Sequence, residues 1–251
     1  MSWAVKLQNL QEEISFWSPA PIQVRQLLRS DDIRFWVKEL LGYAGQEASV
    51  DQIEAFLQGR DSGNQELSVK TRVSNAYALF ADVEENSQLL TSKRLARWQT
   101  TWNRNIQVKD QASDSGGLEA SSLPEVLVEL LTRHQQTNLL MHPVQDLAWF
   151  FLEFIRVAPF RADNPVLGMV SINYLLHQKN YPWVLFPWPN HSYSEKLQVG
   201  PLEPDCQAVA ELAELLAQAL VVRMESELAV IKAHAGSGQC GVGGPRLISL
   251  N

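Results

Sequence analysis

The polar side chains best placed to do chemistry lie in and just before one short loop, residues 158–165, which contains Arg161, Asp163 and Asn164 and follows Arg156. A carboxylate can hold Mg²⁺, and a guanidinium group can hold phosphate oxygens. The same residue types also serve structure, because arginines near a helix end are commonly solvated or paired with nearby acids. Two interpretations follow: a residual polar site made by these four residues, or a connection that only joins two helices.

Other residues that could bind metals or catalyse reactions do not form a recognisable pattern. The five histidines lack metal-ligand spacing such as His-Glu-x-x-His, so no metal site is predicted. The two cysteines, Cys206 and Cys240, are too few for a disulfide framework, which indicates a reducing compartment. The glycine-rich stretch at residues 241–244 lacks the Lys and the Ser or Thr of a phosphate-binding P-loop.

Two apolar helical patterns flank the loop and must position it. The first begins at His142 and runs to about residue 157, and the second runs from about Val166 to Lys179. We interpret His142 as the N-terminus of the first helix and Asn164 as the cap of the second. Two apolar helices joined by a loop with two prolines predict a buried helix pair that presents the loop at one end.

The loop and its helices resemble the core of the Fic (Fido) family. The family motif is His-Pro-Phe-x-(Asp/Glu)-Gly-Asn-Gly-Arg-x-x-Arg, and it lies between two central helices. Aligned with this motif, residues 158–169 match it at Pro159, Phe160 and Asn164. We interpret the first two as side chains that plug the loop into the core.

The resemblance implies that the base and the metal ligand of the family are replaced. Ala158 stands in place of the His, which takes a proton from the target hydroxyl as a general base. Ala162 stands in place of the acid, which holds Mg²⁺ on the nucleotide phosphates. Asp163, at a glycine position, could serve as a displaced metal ligand only if the loop slipped by one residue.

The phosphate-binding positions of the motif are replaced as well. Asp163 and Pro165 stand in place of the two glycines, and proline has no N–H to donate to a phosphate. Val166 and Met169 stand in place of the two arginines, and Gly168 falls between them. The resemblance therefore implies a Fido scaffold whose active site is degenerate, with no catalytic residue intact.

The resemblance extends over roughly residues 70–190 and predicts the fold class. We expect an all-α, Fido-like helical bundle around two central helices. The family's β-hairpin flap would fall near residues 106–117, where the strand signal is weak and a short flap is the most that is expected. Residues 183–189 are rich in Trp and Pro and are interpreted either as a strap across the helices or as a binding segment.

Helical periodicity and capping residues predict the remaining elements. They indicate helices at residues 3–15, 21–43, 49–57, 66–84, 91–104, 123–135 and 205–233. Ser30 with the two acids after it marks a helix start, Ser49 and Gln52 form a capping box, Thr91 or Ser92 caps the helix that follows, and Asp205 caps the last helix. The apolar residues of that last helix fall on one side: Val209, Leu212, Leu216, Leu220, Met224 and Leu228. The predicted organisation is an N-terminal helical cap at 1–65, a Fido-like domain at 66–235 and a flexible tail at 236–251.

Composition limits the classes of partner. The net charge of −7 argues against a nucleic-acid-binding protein, and no apolar run is long enough to span a membrane. The N-terminus has no signal-peptide pattern, so a cytoplasmic location is expected.

The function expected first is that of a pseudoenzyme that regulates or binds a protein partner, with no cofactor beyond weak ATP and Mg²⁺ binding. The alternative is a divergent Fic enzyme that transfers a nucleotide or another phosphate-containing group, as in AMPylation, through altered residues.

Overall fold

The regular elements of this chain are α-helices throughout the part that the structure describes. The computed structural model describes residues 2–60, 67–85, 88–106, 123–139, 141–160, 162–184 and 201–237. In chain order its helices are α1 (Trp3–Phe16), α2 (Ile22–Tyr43), α3 (Val50–Leu57), α4 (Leu67–Glu85), α5 (Ser92–Trp102), α6 (Leu123–Thr137), α7 (Pro143–Val157), α8 (Asn164–Gln178) and α9 (Gln207–Ser237). The predicted all-α fold class is confirmed. The predicted flap, nearly all of the predicted tail and residues 185–189 lie outside the described ranges.

The pair α7 and α8 forms the centre of the molecule, as predicted. Every residue from 147 to 154 of α7 and from 166 to 176 of α8 is buried. A helix that is buried on all sides needs neighbours all around it. Helix α7 packs against α6, α8 and α9, and α8 packs also against α2, α4 and α5. His142 is the N-cap of α7, where its side chain accepts a hydrogen bond from the backbone N–H of Val144.

The N-terminal helices share one hydrophobic core with the rest of the chain. Leu7 of α1, Trp36 of α2 and Leu216 of α9 belong to the same cluster of buried side chains. Helix α9 packs along both α1 and α7 and presents the face predicted from its periodicity. On that face Val209, Leu212, Leu216, Leu220, Met224 and Leu228 are all buried. In the described part of the chain, no helix has both the length and the apolar character needed to cross a membrane.

Local capping signals were right at some helix ends and wrong at others. Ser49 forms the predicted capping box with Gln52, and Thr91 caps α5. The helix start predicted at Ser30 is wrong, because α2 continues through it and keeps burying residues such as Trp36 on one side. The cap predicted at Asp205 is also wrong: this residue lies in a turn, and α9 begins at Gln207.

Candidate functional site

The loop between α7 and α8 turns through two left-handed residues, neither of which is glycine. Ala158 ends α7 with φ 44° and ψ 60°, and Asp163 precedes α8 with φ 63° and ψ 19°. Left-handed backbone at a residue with a Cβ costs on the order of 1–3 kcal/mol and persists where the surroundings impose it. Contacts with other residues must therefore hold the loop in this conformation, because the two residues do not favour it themselves.

Asn164 supplies the main contact that holds the loop. Its side chain accepts a hydrogen bond from the backbone N–H of Phe160 at 3.0 Å and donates one to the carbonyl of the same residue at 2.7 Å. The predicted role of Asn164 as a helix cap is wrong, because its amide faces back to Phe160. Asp163 holds the N-cap position and its side chain makes no capping hydrogen bond.

The matching motif residues Pro159 and Phe160 are both buried, in agreement with the interpretation that they plug the loop into the core. The ring of Phe160 lies 6.3 Å from that of Phe154 of α7. Ala158 is half-buried and Ala162 is exposed. The loop therefore has an apolar inner side and a small-residue outer side.

The two motif positions that carry arginine in the family face the core in this chain. Val166 and Met169 are both 0% exposed, and they belong to the main hydrophobic cluster. Gly168, between them, faces the ring of Phe151 of α7. A Cβ at this position would lie 2.9 Å from a ring carbon of Phe151. The first turns of α8 thus serve packing against α7.

Asp163 interacts electrostatically with Arg72, a residue that the sequence pattern did not mark as a candidate. Burial lowers the pKa of Arg72 of α4, and the negative charge of Asp163 opposes this effect. Arg72 donates to the carbonyl of Trp102 at 2.7 Å and to Oδ1 of Asn103 at 3.2 Å, and its guanidinium lies over the Trp102 ring. Its buried Nε has no hydrogen-bond acceptor in the described part of the chain. No local motif marks Arg72, since it sits within an ordinary helical pattern.

Arg156 is part of a structural ion-pair cluster. Its Nε and Nη2 donate to the two carboxylate oxygens of Glu153, each at 2.7 Å. Arg133 of α6 donates to the same carboxylate at 2.7 Å, and the backbone N–H of Leu202 donates at 3.1 Å. Burial alone would raise the pKa of Glu153, but these hydrogen bonds and charges outweigh it and hold the pKa below its ordinary value. The cluster ties α6, α7 and the start of the C-terminal segment together.

The residues predicted as a residual polar site have separate partners. Arg156 pairs with Glu153, Asn164 bonds to Phe160, and Asp163 acts electrostatically on Arg72. Arg161 lies outside the described residues. Within the described ranges, no group of three or more His, Cys, Asp or Glu side chains is arranged to hold a metal ion.

The start of the Trp- and Pro-rich segment behaves as a strap as far as the structure describes it. Trp183 stacks on Phe80 of α4 with ring centroids 4.2 Å apart. Asn173 of α8 accepts a hydrogen bond from the N–H of Val184 at 2.8 Å and donates one to its carbonyl at 3.0 Å. These contacts fasten residues 183 and 184 to the central helix.

Comparison of the sequence with known proteins found no match, whereas comparison of the structure found proteins of similar fold. No protein-family model and no curated protein matches the sequence. A Fic domain containing signaling protein from Bacteroides thetaiotaomicron matches the structure with a TM-score of 0.76 and 14% identity, over 91% of this chain and 98% of that one. Fic-1 from C. elegans matches with a TM-score of 0.69 and 14% identity, over 90% of this chain and 71% of that one. A Fic family protein from Desulfovibrio desulfuricans matches with a TM-score of 0.57 and 18% identity, over 97% and 77% of the two chains.

These identities are low enough that the likeness concerns the fold. The similarity covers at least 90% of this chain in each case. The sequence resemblance rested on the pattern of helical elements over roughly residues 70–190, whereas the motif loop between α7 and α8 matches the family only at Pro159, Phe160 and Asn164. The chain therefore has the fold of the Fic-domain proteins.

Proposed function

We propose that this protein is a cytoplasmic Fic-family pseudoenzyme that acts through protein contacts, as a regulator or a partner-binding module. The observation that carries the proposal is Ala158 in place of the family's general base. A methyl group cannot accept a proton from an attacking hydroxyl. The loop around it is nevertheless held in a defined conformation by Asn164, which supports a retained scaffold without its reactive group.

The neighbouring positions do not fit a magnesium–nucleotide complex. Ala162 has no oxygen to offer a metal ion, and Val166 and Met169 are buried apolar side chains. The carboxylate of Asp163 would repel a phosphate in the absence of a metal. We therefore derive no catalytic step through a bound nucleotide.

A labelled-nucleotide assay tests the proposal directly. The purified chain should transfer no AMP or other nucleotide group to itself or to proteins of a host lysate, with either Mg²⁺ or Mn²⁺. The control is the same preparation carrying Asp163→Ala. Incorporation by the wild-type chain that is lost in this variant would overturn the proposal, since a contaminating enzyme would label both samples equally.

The alternative, a divergent Fic enzyme with altered residues, has one observation in its favour. The charge of Asp163 acts on Arg72, whose buried Nε has no hydrogen-bond acceptor in the part of the chain that the structure describes. In that case Arg72→Gln should abolish any transfer detected, while the pseudoenzyme proposal expects no transfer to abolish.

A further inference from the structure

A surface groove lies between α2 and α9, and none of its described lining residues belongs to the motif loop. It has a volume of about 550 Å³. Its walls include Asp32, Phe35 and Glu39 of α2 and Leu215, Ala219 and Val222 of α9. We call this surface the α2–α9 groove.

The α2–α9 groove brings together large apolar side chains that remain in contact with water. Phe35, Leu215 and Val222 keep 50%, 42% and 67% of their surface exposed. Single exposed apolar residues are normal on a protein surface, but several that line one concave surface are typical of an interaction site. Trp183 and Val184 continue the apolar lining.

The shape of the groove fits a helix. On α9 the lining runs from Leu215 to Ser226, and this stretch is about 16 Å long at about 1.5 Å per residue. Three turns of a helix laid alongside would cover the same length. Ala219 lies near the middle, where its small side chain allows a second backbone to approach closely. An amphipathic helix placed in an apolar groove is a common mode of peptide recognition.

The charges of the groove favour a basic occupant. Asp32 and Glu39 are acidic, and the one cation among the described lining residues is Arg223, which already pairs with Asp32. The charge of Arg223 is also shared with Glu227, whose pKa is raised by burial. Burial likewise raises the pKa of Asp32 to about 7, although Arg223 lowers it in part. Arg223 is thus already engaged, whereas no ion pair joins Glu39 to another described residue, so a further cation beside Glu39 would be favourable.

We propose that the α2–α9 groove docks an amphipathic helix of a partner protein. The helix places apolar residues, spaced three and four positions apart, against Phe35, Leu215 and Val222. A Lys or Arg beside this apolar stripe pairs with Glu39. This inference deepens the proposed function, on which it rests, by identifying the surface and the chemistry of the partner.

Selection from a peptide library tests the proposal with the full chain as the target. Displayed peptides of about 16 residues, long enough for a marginally stable isolated helix, are selected without any fixed pattern. The enriched peptides should be helical, amphipathic and basic. Their dissociation constants are then measured by fluorescence anisotropy against the wild-type chain and its variants.

Two pairs of exposed substitutions give matched controls. Val222→Asp should weaken binding by about tenfold or more, whereas Val128→Asp on α6 should leave it unchanged. Glu39→Lys should weaken binding most strongly at low salt, whereas Glu85→Lys, with the same change in net charge, should have little effect. All four side chains are partly or fully exposed, so each variant is expected to fold.

Several results would overturn the proposal. These are a failure to enrich any peptide, enrichment of acidic or non-helical peptides, and binding that Val222→Asp leaves intact. Self-association of the chain that Val222→Asp abolishes in sedimentation would assign the groove to a second copy and would also overturn it. Nucleotide transfer would contradict the proposed function without changing any of these binding results, so the two failures can be told apart.

Discussion

At the scale of single residues, the loop between α7 and α8 contains two residues in a backbone conformation that neither of them favours. Ala158 and Asp163 both adopt left-handed backbone, at φ 44° and 63°, although neither is glycine. The two hydrogen bonds of Asn164 to Phe160 and the burial of the Phe160 ring offset the free-energy cost of this left-handed backbone. Strained backbone of this kind is frequent at functional sites. Here it surrounds two alanines, where the family has a base and a metal ligand.

Ala158→His tests whether the missing base is the only defect. Ala158 is half-buried at the end of α7, so an imidazole should be accommodated. We expect the variant to fold and to transfer no nucleotide, because catalytic groups act as a unit and the metal ligand and both arginines are also replaced. The measurement is labelled-nucleotide incorporation, with thermal unfolding to verify the fold. Clear transfer by this single variant would mean that the remaining site is functional.

At the scale of the elements, the site depends on how closely α7 and α8 approach each other. At Gly168 of α8 the absence of a Cβ leaves room for the fully buried ring of Phe151 of α7. The ion pairs of Glu153 then fix α7 to α6. The loop thus joins two buried helices that are fixed to their neighbours by packing and by ion pairs.

Gly168→Ala should destabilise the fold. The added Cβ would lie 2.9 Å from one carbon of the Phe151 ring and 3.0 Å from another, and that ring has no free space into which to move. Overpacking of this kind costs about 1–3 kcal/mol, which urea denaturation can measure. Gly42→Ala is the matched control, since this glycine lies in α2, is exposed and has no atom within 4 Å of the added Cβ. It should stabilise by up to about 1 kcal/mol, and equal effects of the two variants would contradict the packing argument.

At the scale of the whole molecule, the charged residues are distributed unevenly, and some of them form ion pairs between helices that are far apart in the sequence. Asp32 of α2 pairs with Arg223 of α9, and it also faces Glu227 of α9, Asp31 of α2 and Glu84 of α4. The chain as a whole carries a net charge of −7. This net negative charge repels anions such as free nucleotides at long range.

The buried carboxylate of Asp32 should make stability depend on pH. Its pKa is about 7 in the folded protein and about 4 when unfolded, so the folded state holds an extra proton between these values. The free energy of unfolding should therefore fall as pH rises from about 4 to 7. Asp32→Asn should make this fall shallower, and the raised pKa of Glu227 should leave a residual slope.

Urea denaturation at about pH 5 and about pH 8 measures the effect of Asp32→Asn on this slope. Glu85→Gln is the control, because this glutamate is exposed at the end of α4 and should leave the slope unchanged. Parallel pH profiles for the wild-type chain and Asp32→Asn would show that Arg223 fully compensates the buried charge.

Nucleotide affinity is a second property of the whole molecule. ATP with Mg²⁺ should bind no more tightly than the millimolar range, about −4 kcal/mol. Two charge-assisted contacts are missing at Val166 and Met169, Pro165 removes an N–H donor, and Asp163 adds negative charge. Isothermal titration calorimetry measures this affinity. A micromolar dissociation constant that is lost in Asp163→Ala would favour the divergent enzyme.

Features that depend on neighbouring residues along the chain could be predicted from the sequence. The apolar spacing of α9, the capping box at Ser49 and a cap of α5 at Thr91 or Ser92 were predicted, because each is formed within one or two helical turns, and Thr91 proved to be the cap. Periodicity also predicted the central helix pair, whereas the all-α Fido-like class was implied by the family resemblance. The loop residues that match the Fic motif were also identifiable, and the fold confirmed that resemblance.

Only the tertiary structure decided which polar groups meet. Asn164 was predicted to cap α8, but its side chain accepts a hydrogen bond from the backbone of Phe160 instead. Arg156 is paired with Glu153. Arg72 and the pair of Asp32 with Arg223 could not be anticipated, because their partners lie far away in the sequence. Periodicity tells which face of a helix is buried, but the neighbours on that face depend on how all the helices pack. The roles of buried charges are therefore set by packing, after the helices themselves have been specified.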